Sequence, residues 1–301
     1  MGLISNIKGH VRRSSPFVAA AMELRQRLKR GHVPIYLDYP IFPAPRYGWE
    51  KPPHSVLNEA INAHRSTYGE WIRQLSGVAG GLEKIPLHAP KHSPTAHWMN
   101  DWVMGLDAAT LYAFPCLFGS RVYLEIGSGN STKFVRQSIL DNQLSTRIVS
   151  IDPHPRAEID RICDEVVRQP LEHVDLSLFD ALEAGDILMV DNSHRCFQNS
   201  DVTAVFLDIL PRIKSGVAIY IDDIFLPYDY PPDWVNRYYS EQYLLAVQLL
   251  ADNARRYEIL FPGYFATMDP SLKALADGFW TSIGRPEMHS VISNGFWLRV
   301  K

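Results

Sequence analysis

Two strand-like runs end in residues that could hold a nucleoside. Val122 to Ile126 leads into Glu125-Ile126-Gly127-Ser128-Gly129-Asn130-Ser131, and a helical pattern begins there. Gly127 and Gly129 permit a tight turn and a close approach of ligand to backbone. The helix that follows points free N–H groups into the same space. The second run closes on Asp152, in Ser150-Ile151-Asp152-Pro153. A carboxylate there can accept both ribose hydroxyls and would repel a ribose phosphate. The turn has Thr132 where the GxGxxG fingerprint has its third glycine, which speaks against a nicotinamide dinucleotide. Glu125 also brings negative charge where a pyrophosphate would lie; an ammonium group suits it better. Singly, these are a turn and a turn-forming aspartate. Together they point to a nucleoside.

Three further acids sit at strand ends. Asp191 follows the apolar Ile187-Leu188-Met189-Val190, and Asp222 and Asp223 follow Val217 to Ile221. Oxygen ligands of this kind suit Mg²⁺ or Ca²⁺, and such a metal lowers the pKa of a bound hydroxyl. Side chains alternate along a strand, so Asp222 and Asp223 converge only if the strand has ended. His194 stands three residues past Asp191. Histidine is the side chain best poised to act as a base near neutral pH, with a hydrogen-bonded structural role as the alternative. Asp223 would orient it or meet the acceptor. Cys196 nearby reads as a partly buried free thiol.

Positioning these residues requires alternating strands and helices. Val122 to Ile126, Arg147 to Ile151, Glu165 to Arg168, Asp186 to Val190 and Val217 to Ile221 read as five strands. Helices are expected at Ser131 to Leu140, Arg156 to Ile162, Val202 to Ile213 and Tyr239 to Ala251. Arg256 to Phe261 and Phe296 to Val300 complete the set. This alternation implies a parallel sheet with right-handed crossovers. Before Gly119 the rhythm differs. A proline- and aromatic-rich stretch, Tyr39 to Pro53, reads as an extended loop. One helix is expected from Ser55 to about Leu75, where Leu57, Ile61, Tyr68, Ile72 and Leu75 share a face, and another from about Asp107. The expected division is an N-terminal helical and extended cap, 1–118, and a nucleoside-binding domain, 119–301.

At this point a resemblance enters. YLEIGSGNST, SIDPHPR, ILMVDNSH and IDDIFLPYDYP are similar to the successive motifs of class I S-adenosylmethionine (SAM)-dependent methyltransferases, more narrowly the bacterial Methyltransf_24-like group. The resemblance implies a doubly wound, Rossmann-like, seven-stranded, mostly parallel sheet with one antiparallel strand near the C-terminus. It implies that Glu125, Gly127, Ser128 and Gly129 line the methionine half of SAM and that Asp152 holds the ribose. Gln169 would face the adenine, with Pro170 and Leu171. Asp191 and Asn192 would lie near the sulfonium. Asp191, Asp222 and Asp223 are similar in placement to the acids of metal-dependent O-methyltransferases, so Mg²⁺ is a second expected cofactor. The aromatic run Phe225 to Trp234 would wall the acceptor, and the leader with Trp98, Trp102 and Tyr112 would close the other side. The expected activity is methyl transfer to oxygen on a small molecule or glycan. A non-catalytic SAM-binding or assembly protein of the same fold is the alternative.

Composition bounds the partners. The net charge of −3 over 301 residues provides no global field for nucleic acid or anionic lipid. Three separated cysteines without a CxxC pair favour neither a disulfide framework nor a zinc site and suit a reducing, cytoplasmic setting. The apolar Phe17 to Met22 is too short for a signal core or a membrane span and is followed at once by charge; with Lys8, Arg12 and Arg13 it reads as a basic surface helix. A homo-oligomer is left open.

Overall fold

The computed structural model describes residues 38–155, 159–251 and 255–301. The basic helix expected near the N-terminus and residues 156–158 of the expected short helix lie outside them. The chain divides into two units, Met1–Pro43 and Ala44–Lys301. Of the first, residues 38–43 are exposed and carry neither helix nor strand.

The second unit is built on seven strands: β1 (Val122–Ile126), β2 (Arg147–Ile151), β3 (Glu165–Val167), β4 (Ile187–Val190), β5 (Ala218–Ile221), β6 (Tyr257–Pro262) and β7 (Phe296–Val300). Their order is β3-β2-β1-β4-β5-β7-β6. β7 runs antiparallel to both its neighbours, and the other pairings are parallel. The strand order reverses between β1 and β4, so a ligand crevice opens beyond their carboxyl ends. β4 and β5 are buried at every residue, as expected of strands covered on both faces.

Helices flank the sheet, both before its first strand and between its later ones. α1 (Ser55–Asn62) and α2 (Arg65–Gln74) replace the single helix expected from Ser55. The break falls at His64, whose N–H turns to the carbonyl of Ile61; the buried Tyr68 hydroxyl donates to that same oxygen at 2.8 Å. α3 (Gly105–Phe118) is buried along its whole first part and ends at Gly119, left-handed at φ +63°, the usual helix stop. α4 (Asn130–Asp141) follows the glycine turn. Residues 44–118 share one hydrophobic core with the sheet: Trp98 packs on Phe134 of α4 and on Trp280, at centroid distances of 5.6 and 5.4 Å. α5 (Glu241–Ala251) and α6 (Pro270–Ser282) complete the layers. α6 lacks any counterpart in the sequence analysis. Asp269 caps it by accepting from Ser271 and Leu272 N–H, with Pro270 at its first position. Among the described residues no helix is long and apolar enough to cross a membrane.

Candidate active site

The crevice holds two lobes that share Ser128 and Asp191. The first, about 310 Å³, is lined by residues of the glycine turn and the ends of β2 and β4, among them Gly127, Asp152, Pro153, Pro170, Leu171 and Asn192. The second, about 230 Å³, is lined by the other side of the turn, by Trp102, by the ends of β4 and β5, and by Trp234, Arg237, Tyr239 and Asn294.

Gly127 makes the junction possible. Its φ is +81°, and a Cβ there would lie 1.8 Å from the carbonyl oxygen of Asp191. Only glycine allows β1 and β4 to come this close. Asp152 spans the turn from the other strand: Oδ2 accepts from Ser128 N at 3.0 Å and Oδ1 from His154 N at 2.7 Å. Ser128 also meets Ser150 through its hydroxyl, at 2.6 Å.

Glu125 sits beneath the turn, fully buried, and lines neither lobe. Oε1 accepts from the Thr132 hydroxyl at 2.6 Å, and Thr132 in turn accepts from Gly129 N at 3.1 Å. Oε2 has no partner. Burial pushes its pKa up to about 8, against the opposing hydrogen bonds of Thr132 and Ser128. Gln169 is exposed and lines neither lobe, while Pro170 and Leu171 beside it line the first.

His194 is buried at φ +57° between three carboxylates. Nδ1 faces Glu241 Oε2 at 2.9 Å; Nε2 lies 3.3 Å from Asp191 Oδ1 and 3.4 Å from Asp223 Oδ2. Burial favours the neutral ring, but hydrogen bonds to Asp191 and Glu241 and the charges of Glu241 and Asp223 outweigh it and raise the pKa well above 6.5. These surroundings favour the protonated ring. Glu241, the first residue of α5, was not among the residues singled out from the sequence. It is fully buried, accepts from Asn192 Nδ2 at 2.8 Å, and ties α5 to the end of β4. Nothing local distinguishes it from an ordinary acid in a first helical turn.

Asp222 and Asp223 diverge after β5 ends. Asp223 adopts φ +56°, and its Oδ1 accepts from Asn294 Nδ2 at 2.9 Å. Asp222 accepts from the Tyr220 hydroxyl at 2.8 Å. The expected three-acid cation site does not assemble. Nε2 of His194 lies where a cation between Asp191 and Asp223 would sit, and Asp222 is turned to Tyr220. Among the described residues no group of three or more His, Cys, Asp or Glu side chains is arranged to hold a metal.

The lining of the first lobe includes Asp152, Glu172, Asp191 and Asp201 and, among the described residues, no lysine or arginine, so its side chains offer acceptors of the kind a ribose diol or a cation needs.

Residues 124–224, about a third of the chain, match the family model Methyltransf_24, described as a methyltransferase domain. No curated protein matches the sequence. Among solved structures, the chain is similar to the methyltransferase PaMTH1 of Podospora anserina with S-adenosylhomocysteine (SAH) bound: TM-score 0.39, 16% identity, 65% of this chain and 78% of the other. It is also similar to the plantazolicin methyltransferase BpumL in complex with SAH and a pentazolic desmethyl analogue, at 0.38 and 16%, covering 64% of this chain and 82% of the other. A third is the branched-chain polyamine synthase of Thermus thermophilus, at 0.37 and 11%, covering 76% of this chain and 64% of the other. Residues 124–224 are thus similar to a methyltransferase domain, and they lie in a seven-stranded, mostly parallel α/β sheet.

Proposed function

We propose that the chain transfers a methyl group from SAM to a hydroxyl of a small molecule or glycan. The observation that carries this is the meeting of two lobes at Asp191, one with the donor set of a ribose and a cation, the other ending on Asp223. Bound SAM supplies an electrophilic methyl on a sulfonium. In this reading Asp152 accepts the ribose hydroxyls, Pro170 and Leu171 flank the base, and Gly127 to Gly129 leave room for the amino-acid tail. Asp191 lies beside the positive sulfur, with Asn192 held behind it. Glu125 acts through Thr132 by shaping the turn.

The acceptor's proton needs a base. Nε2 of His194 stands 3.3 and 3.4 Å from Asp191 and Asp223, and its surroundings favour the protonated ring, so in this reading His194 clamps the two acids rather than taking the proton. Asp223 is the base: burial raises its pKa above the usual 3.8, which strengthens it as a proton acceptor, while the charges of His194 and Arg237 oppose that shift. Alignment of acceptor and methyl in one crevice supplies the remainder.

The test is a binding titration. SAH should bind and NAD should not; the reverse result overturns the reading. Asp152→Ala should weaken SAH binding by about 1–3 kcal/mol through lost hydroxyl hydrogen bonds, measured by calorimetry; unchanged affinity removes Asp152 from the site.

A further inference from the structure

Arg237 contributes its positive charge to the field at Asp223, and its guanidinium has a second feature. Arg237 is the single lysine or arginine lining either lobe among the described residues. Its guanidinium carbon lies 3.6 Å over the centre of the Trp234 ring, a stacked geometry in which the flat face is engaged. Trp234 is itself set edge-on against Phe225 at 5.2 Å, and Phe225 is buried with Tyr230 and Tyr264. The backbone is held as well: the Arg237 carbonyl accepts from Arg195 Nε at 2.9 Å, and Tyr238 turns left-handed at φ +55°. The side chain is exposed and, among the described residues, faces no carboxylate within ion-pair distance. A positioned guanidinium with its N–H edge open is built for a planar or tetrahedral anion, which it meets with two parallel hydrogen bonds.

The acids of the same lobe have other partners within hydrogen-bonding reach: Asp191 and Asp223 flank His194 Nε2, and Asp222 is bonded to Tyr220; Arg237 meets Asp223 only through its charge at longer range. Asp101 alone lines the lobe outside that network.

We infer that Arg237 anchors an anionic group, a carboxylate or a phosphate, carried on the same acceptor molecule as the hydroxyl delivered to Asp223. The inference rests on the proposed methyl transfer for the hydroxyl, and on the stacked guanidinium for the anion.

Two probes test it at constant ionic strength, inorganic phosphate and acetate, each titrated into SAH-saturated protein with tryptophan fluorescence as the signal. At least one should bind saturably in the millimolar range, and Arg237→Gln should weaken it tenfold or more with SAH affinity unchanged. Arg73→Gln, which removes the same charge from a residue lining neither lobe, should change nothing. Tighter phosphate binding identifies a phosphorylated acceptor, tighter acetate binding a carboxylated one. Absence of saturable binding by either anion, or an equal loss in both variants, overturns the inference. Failure of SAH to bind overturns the methyltransferase reading instead, and the anions are then titrated into the unliganded protein with the same two variants.

Discussion

Single residues decide the chemistry through where their neighbours place them. Gly127 is the clearest case, because its substitution meets backbone and not a movable side chain. Gly127→Ala should abolish measurable SAH binding and lower stability by about 1–3 kcal/mol through the left-handed strain alone; urea unfolding and calorimetry check both, and wild-type values for either would show that β1 and β4 can part. His194 teaches the opposite lesson. Its type and its place three residues past Asp191 suggest a base. Three carboxylates around it favour its protonated form. One of those, Glu241, lies 47 positions away in sequence, and no local pattern joins the two.

At the scale of elements, the loop after β5 depends on a distant strap. Residues 46–54 run against it: Arg46 and Tyr47 N–H donate to Asp229 Oδ2, Trp49 Nε1 donates to the Asp229 carbonyl at 2.9 Å, and His54 N donates to the Pro227 carbonyl at 3.0 Å. Gly48, at φ +71°, lies so close under Tyr228 that a Cβ would sit 2.0 Å from its ring. This strap fixes the aromatic group that carries Trp234, so it governs the acceptor lobe and not the nucleoside lobe. Asp229→Ala removes the shared acceptor and leaves two N–H groups unpaired, which should cost about 1–3 kcal/mol in urea unfolding. SAH affinity should stay at the wild-type value while anion binding at Arg237 weakens; a fall in SAH affinity would mean that the strap supports the whole crevice. The proline-rich stretch was legible as an ordered loop. Its partner was not, because a loop held by side-chain and backbone hydrogen bonds across some 180 residues has no periodicity to read.

Across the whole molecule, buried acids set the response to pH. Burial is the main cause at both Asp107, raised to about 7, and Glu125, raised to about 8. Between the ordinary carboxyl range and these values the folded protein holds protons that the unfolded chain has released, so stability falls as pH rises. His194 acts with the same sign: its raised pKa stabilises fully below the unfolded value of 6.5 and less as pH climbs through the folded one. Asp269, whose burial is outweighed by hydrogen bonds from Ser271 and Leu272, has its pKa lowered from 3.8 and acts the other way, losing its contribution in acid. The unliganded protein should therefore be more stable at pH 6 than at pH 9, with each pKa unit worth about 1.4 kcal/mol. Glu125→Gln keeps the bond from Thr132 and should flatten the alkaline part of the curve. Urea midpoints across pH check this; a midpoint that rises toward pH 9 would contradict the burial of these acids.

The sequence by itself determined the class of molecule. Strand and helix periodicities, the glycine turn and Asp152 are local patterns, and they placed all seven strands to within a residue or so. The lone antiparallel strand came with the family resemblance. What lay beyond it was α6, in a stretch where no pattern was followed, and the break between α1 and α2, which a buried tyrosine imposes. Only the tertiary structure decided the chemistry at the rim. The carboxylates around His194, the parting of Asp222 from Asp223 and the stacking of Arg237 on Trp234 depend on burial and on distances of 3 to 4 Å set by the fold. Electrostatic energies vary steeply with both, and neither is written in spacing along the chain.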